Sequence, residues 1–339
     1  MRLSIIIPCY NMEAYLRDCV NSLLDQGLDD TSYEIIIVND GSEDATLTIA
    51  KQFEEQYKQV RVIDKANAGV GTARNSGLDQ ATGHYIYFLD PDDYLAKNSL
   101  QEILELTEKL ELDVLTFCSR PVKKNEYIRA SNTKINGEIS GITDGITYIS
   151  QRKFPNEIWW YLVSRKFLKE NQLRFIEGRW MEDAILTAQI FCKAKTMAHI
   201  PRDVHRYRIL PTSAMRNKTP EHYNKVIFDN ANAAHVFDGL IKQVPSGHPF
   251  ANGCINRLKT RQQSFVFFLL VRLMKSDLPV NKIPKMLRDF QTIDAYPLHN
   301  FLGKDYHGFS YLFMVYIFNH KPLIKPFVKV FRTFYPLLR

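Results

Sequence analysis

The chain has 339 residues, of which 45% are hydrophobic and 24% charged, with a formal net charge of +7. This length allows a large core and two modules, and the composition is that of an ordinary globular protein without low-complexity segments or internal repeats. The five scattered cysteines form no C-x-x-C pair, which favours free thiols in a reducing compartment over a disulfide framework or a zinc site.

Short apolar strands and helices alternate through the first third of the sequence. Four apolar runs are predicted strands: residues 3–7, 34–38, 60–63 and 85–89. Three segments between them are predicted helices: residues 13–26, 46–57 and 71–80. Strands buried on both faces and separated by helices predict an α/β fold with a mainly parallel central sheet. Ligands bind such sheets at the carboxyl ends of the strands.

The remaining sequence predicts a change from mixed to helical structure. A helix is expected at residues 100–110, a strand at 113–118 and a helix at 181–193. Residues 119–157 are polar and irregular, with turn signals at Asn136-Gly137 and Asp144-Gly145. From about Pro220 the pattern becomes mainly helical. We therefore expect a nucleotide-binding domain at residues 1–219 and a helical module at 220–339.

The positive charge is concentrated in the C-terminal part. Residues 251–339 contain 14 Lys and Arg but 4 Asp and Glu, a net charge of +10, so that residues 1–250 are net negative. A basic region implies an anionic partner, and the lack of a nucleic-acid-binding motif favours a membrane surface. Because no apolar run approaches the ~20 residues of a spanning helix or resembles a signal peptide, we expect a cytoplasmic protein.

The last helix predicted by the sequence has an aromatic face and a basic face. Projected as a helix, its apolar residues share one side: Leu323, Phe327, Val330, Phe331 and Phe334. Lys325, Lys329 and Arg332 share the other, and Pro326 is tolerable only in the first turn. Such a helix suits the inner face of the cell membrane. The alternative is an amphipathic helix packed on the core.

The acidic sequence Asp90-Pro91-Asp92-Asp93 follows the fourth predicted strand. Asp90 and Asp92 can share Mg²⁺ or Mn²⁺ with a diphosphate, because these cations take carboxylate and phosphate oxygens as ligands. Such a cation neutralises charge that develops on a leaving diphosphate. The alternative is an acidic turn that caps the next helix, which is the simplest explanation of Asp93.

Two further segments follow predicted strand ends. Asp40, in the sequence VNDGS, can accept a hydrogen bond from a nucleotide base, although for this segment taken alone a plain Asp-Gly turn is the better explanation. The segment NAGVGTARNSG, from Asn67 to Gly77, enters a helix, whose backbone N–H groups suit phosphate. Arg74 adds a fixed cation there. The segment is neither a Walker loop nor a G-x-G-x-x-G loop, and a tight strand-to-helix turn is the alternative.

Four runs in this order closely resemble the inverting family 2 glycosyltransferases of GT-A fold, of the bacterial surface-polysaccharide type: IIIPCYNMEAYL, IIIVNDGSEDAT, NAGVGTARNSGL and YIYFLDPDDYL. The resemblance covers residues 1 to about 215. It includes WWYLVSRKFLKENQLRFIEGRWMEDA, which is similar to the acceptor-side segment of the family, and YRILPTS at residues 207–213. Pro91 and the Trp159-Trp160-Tyr161 sequence depart from the usual pattern.

The resemblance implies a role for each matching residue. The general base would be Asp183. The nucleotide-sugar site would contain Pro8, Tyr10, Glu13, Asp40, Asn67, Arg74, Asp90, Glu182 and Arg208. The metal ligands would be Asp92 and Asp90, with His205 as a further candidate near the diphosphate.

The resemblance implies a hexosyl- or N-acetylhexosaminyl-transferase that uses a nucleotide-sugar donor, most often a UDP-sugar, and Mn²⁺ or Mg²⁺. The acceptor would be a hydroxyl of a glycan or of a polyprenyl-diphosphate-linked glycan. A nucleotidyltransferase is an alternative, but it needs a basic loop near the N-terminus, where residues 1–15 contain only Arg2. A non-catalytic nucleotide-sugar-binding protein at the membrane is the other; the oligomeric state is left open.

Overall fold

The computed structural model describes residues 1–123, 138–210 and 219–334. It divides into two compact units. The first comprises Met1–Tyr148 and Phe154–Pro211, and the second comprises Ile149–Lys153 and Thr212–Arg339. The second unit thus begins before residue 220 and takes in a short segment from the middle of the chain. The expected turn at Asn136-Gly137 lies outside the described residues, as does the end of the 207–213 segment.

The first unit contains one eight-stranded sheet. Its strands are β1 (Leu3–Cys9), β2 (Tyr33–Asp40), β3 (Val60–Lys65), β4 (Tyr85–Phe88), β5 (Tyr94–Leu95), β6 (Val114–Lys123), β7 (Tyr161–Ser164) and β8 (Met197–Ile209). They lie in the order β3-β2-β1-β4-β7-β6-β8-β5. The helices of this unit are α1 (Leu16–Leu24), α2 (Thr46–Gln56), α3 (Val70–Gln80), α4 (Leu100–Lys109), the first four residues of α5 (Gly145–Gln151), α6 (Arg165–Glu170) and α7 (Glu182–Lys193).

Parallel pairing joins four strands on one side of this sheet and one further pair on the other side, in agreement with the mainly parallel sheet that the sequence predicts. β1 pairs in parallel with both β2 and β4, β2 pairs with β3, and β6 pairs with β8. Every residue of β1 and β2 is buried, because the sheet is covered on both faces. The carboxyl ends of β1, β2 and β4 therefore meet at one edge, where the polar segments after each strand lie.

Antiparallel pairing enters through strands that the sequence analysis did not identify. β7 pairs antiparallel with β4 and β6, and β5 pairs antiparallel with the long strand β8. Residues 161–164 lie in the aromatic segment that resembles the acceptor-side segment of the family, where the sequence predicts no strand. The sheet is consequently mixed, with parallel pairing predominant.

The second unit is helical, as expected. Its helices are α8 (Pro220–Gln243), α9 (Ala251–Lys275), α10 (Ile283–Thr292), α11 (Phe309–Asn319) and α12 (Lys321–Phe334), with a 3-10 helix at Val280–Lys282. α8 packs along α9 through the rings of Phe237 and Phe265, whose centroids are 5.2 Å apart. None of the described helices is long and apolar enough to cross a bilayer.

The last helix packs differently from the projection made from the sequence. Ile324 and Val328 are the buried side chains of α12, whereas Val330 and Phe334 of the projected apolar face are exposed. Pro326 lies inside the helix rather than in its first turn. The buried face of α12 is therefore offset from the apolar face that was projected from the sequence.

Candidate active site

Asp40 ends β2 and holds the loop that leads into α3. Its buried carboxylate accepts hydrogen bonds from the backbone N–H groups of Ala68 and Gly69, at 3.0 and 2.8 Å, and from Lys65 Nζ at 2.6 Å. The next residue, Gly41, has φ +71, and a Cβ there would lie 2.7 Å from the Asn67 backbone nitrogen. Only glycine fits both conditions. The segments that carry Asp40 and Asn67 are thus fixed against each other.

The segment after β1 is tied to the segment after β2. The Glu13 carboxylate accepts a hydrogen bond from the Ala45 backbone at 2.9 Å, at the start of α2. Pro8 is buried within β1, whereas Tyr10, just beyond the strand, is 45% exposed. An exposed aromatic ring at the edge where ligands bind is available for stacking on a planar group.

Arg74 joins two carboxylates that come from distant parts of the sequence. Its guanidinium is buried in α3, where Nη2 lies 2.8 Å from Asp90 Oδ1 and Nη1 lies 2.9 Å from Glu182 Oε1. Burial disfavours the charge of Arg74, but Asp90 and Glu182 raise its pKa above the ordinary value. Close packing supports this arrangement, since a Cβ on Gly71 would lie 2.7 Å from the Ile176 carbonyl oxygen.

Asp92 and Asp93 occupy different environments beside Asp90. Burial, together with the charges of Asp93 and Asp90, raises the pKa of the half-buried Asp92 from 3.8 to about 7. Asp93 is buried, and its Oδ1 accepts a hydrogen bond from the Arg208 backbone at 2.7 Å. Burial and Asp90 raise the pKa of Asp93 well above its ordinary value. Asp93 therefore anchors β8 and is not the cap of a helix, because strand β5 follows it and Ser99 precedes the next helix, α4.

His205 lies deep in β8 beside this acidic segment. Its Nδ1 shares a hydrogen bond of 2.8 Å with Ser119 Oγ, and its ring stacks on Trp159 at a centroid distance of 4.2 Å. Burial lowers the pKa of His205 to about 3, so the ring is neutral. Its Nε2 lies 3.2 Å from Asp93 Oδ2 but makes no hydrogen bond. When the ring proton is on Nδ1, this buried nitrogen has a free lone pair that can bind a cation, whereas the low pKa disfavours binding of a proton.

The structure does not bring a complete set of metal ligands together. Within residues 1–123, 138–210 and 219–334, no three His, Cys, Asp or Glu side chains are arranged to hold one metal ion. Asp90 and Asp92 are close enough for their charges to interact, whereas the contact of His205 is with Asp93. Two protein carboxylates are nevertheless sufficient for Mg²⁺ or Mn²⁺ when substrate phosphates supply further oxygens.

Arg208 is held by aromatic rings and a carboxylate at the end of β8. Its guanidinium lies 5.2 Å from the ring centroid of Tyr15 and 5.0 Å from that of Tyr94. Its Nη2 donates a hydrogen bond to Asp18 Oδ2 at 3.0 Å. The sequence predicts a role for Arg208 but none for Asp18, because no local pattern links residues 190 positions apart.

Asp183 lies at the start of α7, next to Glu182. Met181, the residue before the helix, has left-handed backbone geometry. Asp183 Oδ1 accepts a hydrogen bond from the Ala184 backbone at 2.7 Å. Burial and the charge of Glu182 raise the pKa of Asp183 from 3.8 to about 8, although Arg74 opposes the shift. A carboxylate that titrates near neutral pH can accept a proton during a reaction.

Comparisons with known proteins agree with this fold. A family model described as Glycosyl transferase family 2 matches residues 4–173. YibD of Escherichia coli (strain K12), an uncharacterized glycosyltransferase, is 31% identical over 220 residues, which cover 63% of each chain. EpsJ of Bacillus subtilis (strain 168), another uncharacterized glycosyltransferase, is 32% identical over 217 residues, 62% of each chain. The chain thus spans less than two thirds of these relatives.

A solved structure extends the agreement in fold. Residues 1–349 of S. aureus TarS, crystallised in complex with UDP, match with a TM-score of 0.70 at 19% identity, over 100% of this chain and 92% of that chain. This likeness supports a GT-A-like sheet followed by a helical region. With the family model matching half of its length, the chain belongs to glycosyltransferase family 2.

Proposed function

We propose that this chain transfers one sugar from a UDP-sugar to a hydroxyl of a glycan or lipid-linked glycan, with inversion at the anomeric carbon. The observation that carries the proposal is the pair of contacts made by Arg74. They join Asp90, after β4, to Glu182, beside Asp183. The carboxylates expected on the donor and acceptor sides are thereby held around the buried guanidinium of Arg74.

The nucleotide site is proposed at the carboxyl ends of β1 and β2. The exposed ring of Tyr10 is available to stack on the base, beside Pro8, and Asp40 is fixed close by. Glu13, which accepts the Ala45 backbone hydrogen bond, and Asn67, whose backbone lies close to Gly41, are at the same edge. The crystallised complex of the S. aureus neighbour with UDP supports UDP as the nucleotide.

Asp92 and Asp90 are proposed to hold Mn²⁺ or Mg²⁺, with His205 as a further candidate ligand. The environment fits a cation, because burial and the neighbouring carboxylates raise the pKa of Asp92 and because His205 Nε2 is buried without a hydrogen bond. When bound, a divalent cation would neutralise charge on the leaving diphosphate. Arg208 is proposed to add positive charge on the same side, from its position between Tyr15 and Tyr94.

Asp183 is proposed as the general base. Its raised pKa makes it a stronger base than an ordinary carboxylate, and Glu182 next to it is fixed by Arg74. The acceptor hydroxyl would give its proton to Asp183 as its oxygen bonds to the anomeric carbon. The bond from that carbon to the diphosphate oxygen breaks in the same displacement, and UDP leaves.

We propose that the acceptor is a growing surface glycan carried on a polyprenyl diphosphate. The support is the net positive charge of residues 251–339, which favours a peripheral location on the inner face of the membrane. A membrane-bound acceptor would be within reach of an enzyme held there. The donor sugar would be a hexose or an N-acetylhexosamine, by family resemblance.

The test is an assay of UDP release from a panel of UDP-hexoses and UDP-N-acetylhexosamines, with and without Mn²⁺. We expect one donor to be turned over and Asp183→Asn to slow transfer while UDP binding, measured by calorimetry, is retained. Release of pyrophosphate instead of UDP would indicate a nucleotidyltransferase. Tight UDP binding without turnover of any donor would indicate a binding protein.

A further inference from the structure

Helix α11 exposes a row of apolar side chains on the surface of the second unit. Phe309 is 83% exposed, Leu312 55%, Phe313 43% and Tyr316 56%. Phe309 and Phe313 stack with their ring centroids 6.4 Å apart. Large apolar side chains grouped in this way are uncommon on the surface of a monomeric protein and mark a contact surface.

The exposed row continues from α11 onto α12. The ring of Phe313 lies 5.9 Å from that of Phe327, and Val330, one helical turn beyond Phe327, is also exposed. Ile324 and Val328 are the side chains of α12 that enter the core. We call Phe309, Leu312, Phe313, Tyr316, Phe327 and Val330 the apolar ridge.

The other flank of α12 is basic. Lys321 and Lys325 of α12 and Arg288 of α10 surround a cleft with an apolar floor of Ile283, Leu287 and Ile324. Among the residues that the structure describes, Arg288, Lys325 and Lys329 have no acidic partner. The sequence from Tyr306 to Arg339 contains no Asp or Glu at all. A partner that covers both the apolar ridge and this basic flank must therefore accept aromatic rings and carry negative charge.

An anionic bilayer surface satisfies both requirements. Aromatic rings are stable in the interface region, and each nearby Lys or Arg attracts anionic headgroups. A second copy of the chain would bring the same uncompensated cations together, which opposes association. With 11 residues, α11 would be about 16 Å long, too short to span a hydrocarbon core of about 30 Å. It can lie in the interface but cannot cross it.

We propose that the apolar ridge enters the interface of an anionic lipid bilayer, while Arg288, Lys325 and Lys329 bind its headgroups. This inference rests on the peripheral location proposed above and names α11 as the element that inserts. It differs from attachment by the charge of α12 alone, because a purely electrostatic contact would not need Phe309 or Leu312.

The test is cosedimentation of the full chain with vesicles of phosphatidylglycerol and phosphatidylcholine in equal parts, and with pure phosphatidylcholine. We expect binding to the mixed vesicles. The double variant Phe309→Ser/Leu312→Ser should bind them at least about tenfold more weakly, because two apolar side chains that would be buried in the bilayer are removed. Phe228→Ser is the matched control, since Phe228 is a 52% exposed aromatic on α8.

A second variant separates insertion from charge. Lys325→Gln/Lys329→Gln should weaken binding about fivefold or more and make it less sensitive to salt, because each cation near the surface contributes attraction. If this variant fails to bind while the ridge variant binds like the unaltered chain, adsorption is electrostatic and insertion of the ridge is wrong. The peripheral location would then stand.

Two other outcomes overturn the proposal as a whole. In the first, the unaltered chain sediments with neither kind of vesicle at low salt, so that the membrane location fails together with the ridge; UDP release still tests the transferase separately. In the second, the unaltered chain is an oligomer in analytical ultracentrifugation, and the Phe309→Ser/Leu312→Ser variant is a monomer. The ridge would then be a self-association surface.

Discussion

Arg74 and Glu182 are 108 residues apart in the sequence, yet Nη1 of the arginine lies 2.9 Å from Oε1 of the glutamate. Both side chains are buried, and the same guanidinium also contacts Asp90. This one side chain therefore connects α3, the segment after β4 and the start of α7. The predictions below follow from that connection and from the carboxylates around it.

Replacing Arg74 should destabilise the first unit strongly. Arg74→Gln removes the cation and leaves the buried Glu182 without its partner, and loss of one member of a buried ion pair costs about 3–5 kcal/mol. Urea unfolding measures the change. The control is Arg174→Gln, whose ion pair with Asp79 is exposed and should contribute at most about 1 kcal/mol. Equal losses in the two variants would contradict the structural role of Arg74.

Replacing Asp183 should affect the reaction more than the fold. Asp183→Asn keeps the size of the side chain but removes the base, and loss of a general base typically slows a reaction about 10²–10⁴-fold. Unfolding midpoint and UDP affinity should remain close to those of the unaltered chain. Asp144→Asn is the control, because Asp144 accepts the Thr147 backbone hydrogen bond at the start of α5. Near-normal turnover by Asp183→Asn would direct attention to Glu182.

The stability that Asp92 and Asp183 contribute to the metal-free protein should fall as pH rises from about 4 to 8. Their pKa values are raised to about 7 and about 8, so these two side chains bind more protons in the folded state than in the unfolded chain across this range. Stability contributed by proton binding is therefore present at low pH and lost as pH rises through these values. Thermal unfolding of the unaltered chain and of Asp92→Asn measures the effect.

The pH profile of Asp92→Asn should be flatter, because that side chain no longer titrates. Asp79→Asn provides the comparison, since Arg174 lowers the pKa of Asp79 and places its titration below this range. A profile for Asp92→Asn that is as steep as that of the unaltered chain would show that Asp92 does not carry the pH dependence.

Removing divalent cations should stop transfer. Treatment with EDTA should abolish UDP release, and Mn²⁺ or Mg²⁺ should restore it, because the proposed ligands Asp90 and Asp92 are oxygen donors. The affinity for Mn²⁺ should rise with pH through about 7 as Asp92 loses its proton. Asp92→Asn should abolish that pH dependence in calorimetry, a readout independent of turnover. Full activity after rigorous chelation would exclude the metal role.

Local patterns in the sequence were sufficient to predict the buried parallel strands β1 and β2. The apolar runs of β1 and β2 predict strands buried on both faces, and the structure has them there. Strand β7 has only four residues, and it is defined by antiparallel partners far away in the chain. β8 was missed because its His205 and Arg206 are polar but buried, each beside an aspartate. Such compensation cannot be recognised before the partners are known.

The acidic segment was placed correctly at the sheet edge by the sequence, since carboxyl ends of neighbouring parallel strands must meet there. The hydrogen-bond and ion-pair partners of these carboxylates could not be predicted from the sequence. Asp93 reads locally as a helix cap, but it binds the backbone of Arg208. Nothing near Arg74 indicates Glu182 as its partner. Pairings across 100 residues depend on the topology of the sheet, which no local pattern specifies.

The sharing of Arg74 has a thermodynamic consequence for the affinities of the two substrates. Asp90 attracts Arg74 on one side, and Glu182 attracts it on the other. A ligand that neutralises Asp90 leaves Arg74 to interact more strongly with Glu182, so occupancy at one end changes the electrostatic potential at the other. Such linkage is reciprocal. A group that contacts Glu182 must alter affinity at Asp90 by the same factor, so donor and acceptor affinities measured separately would not simply multiply.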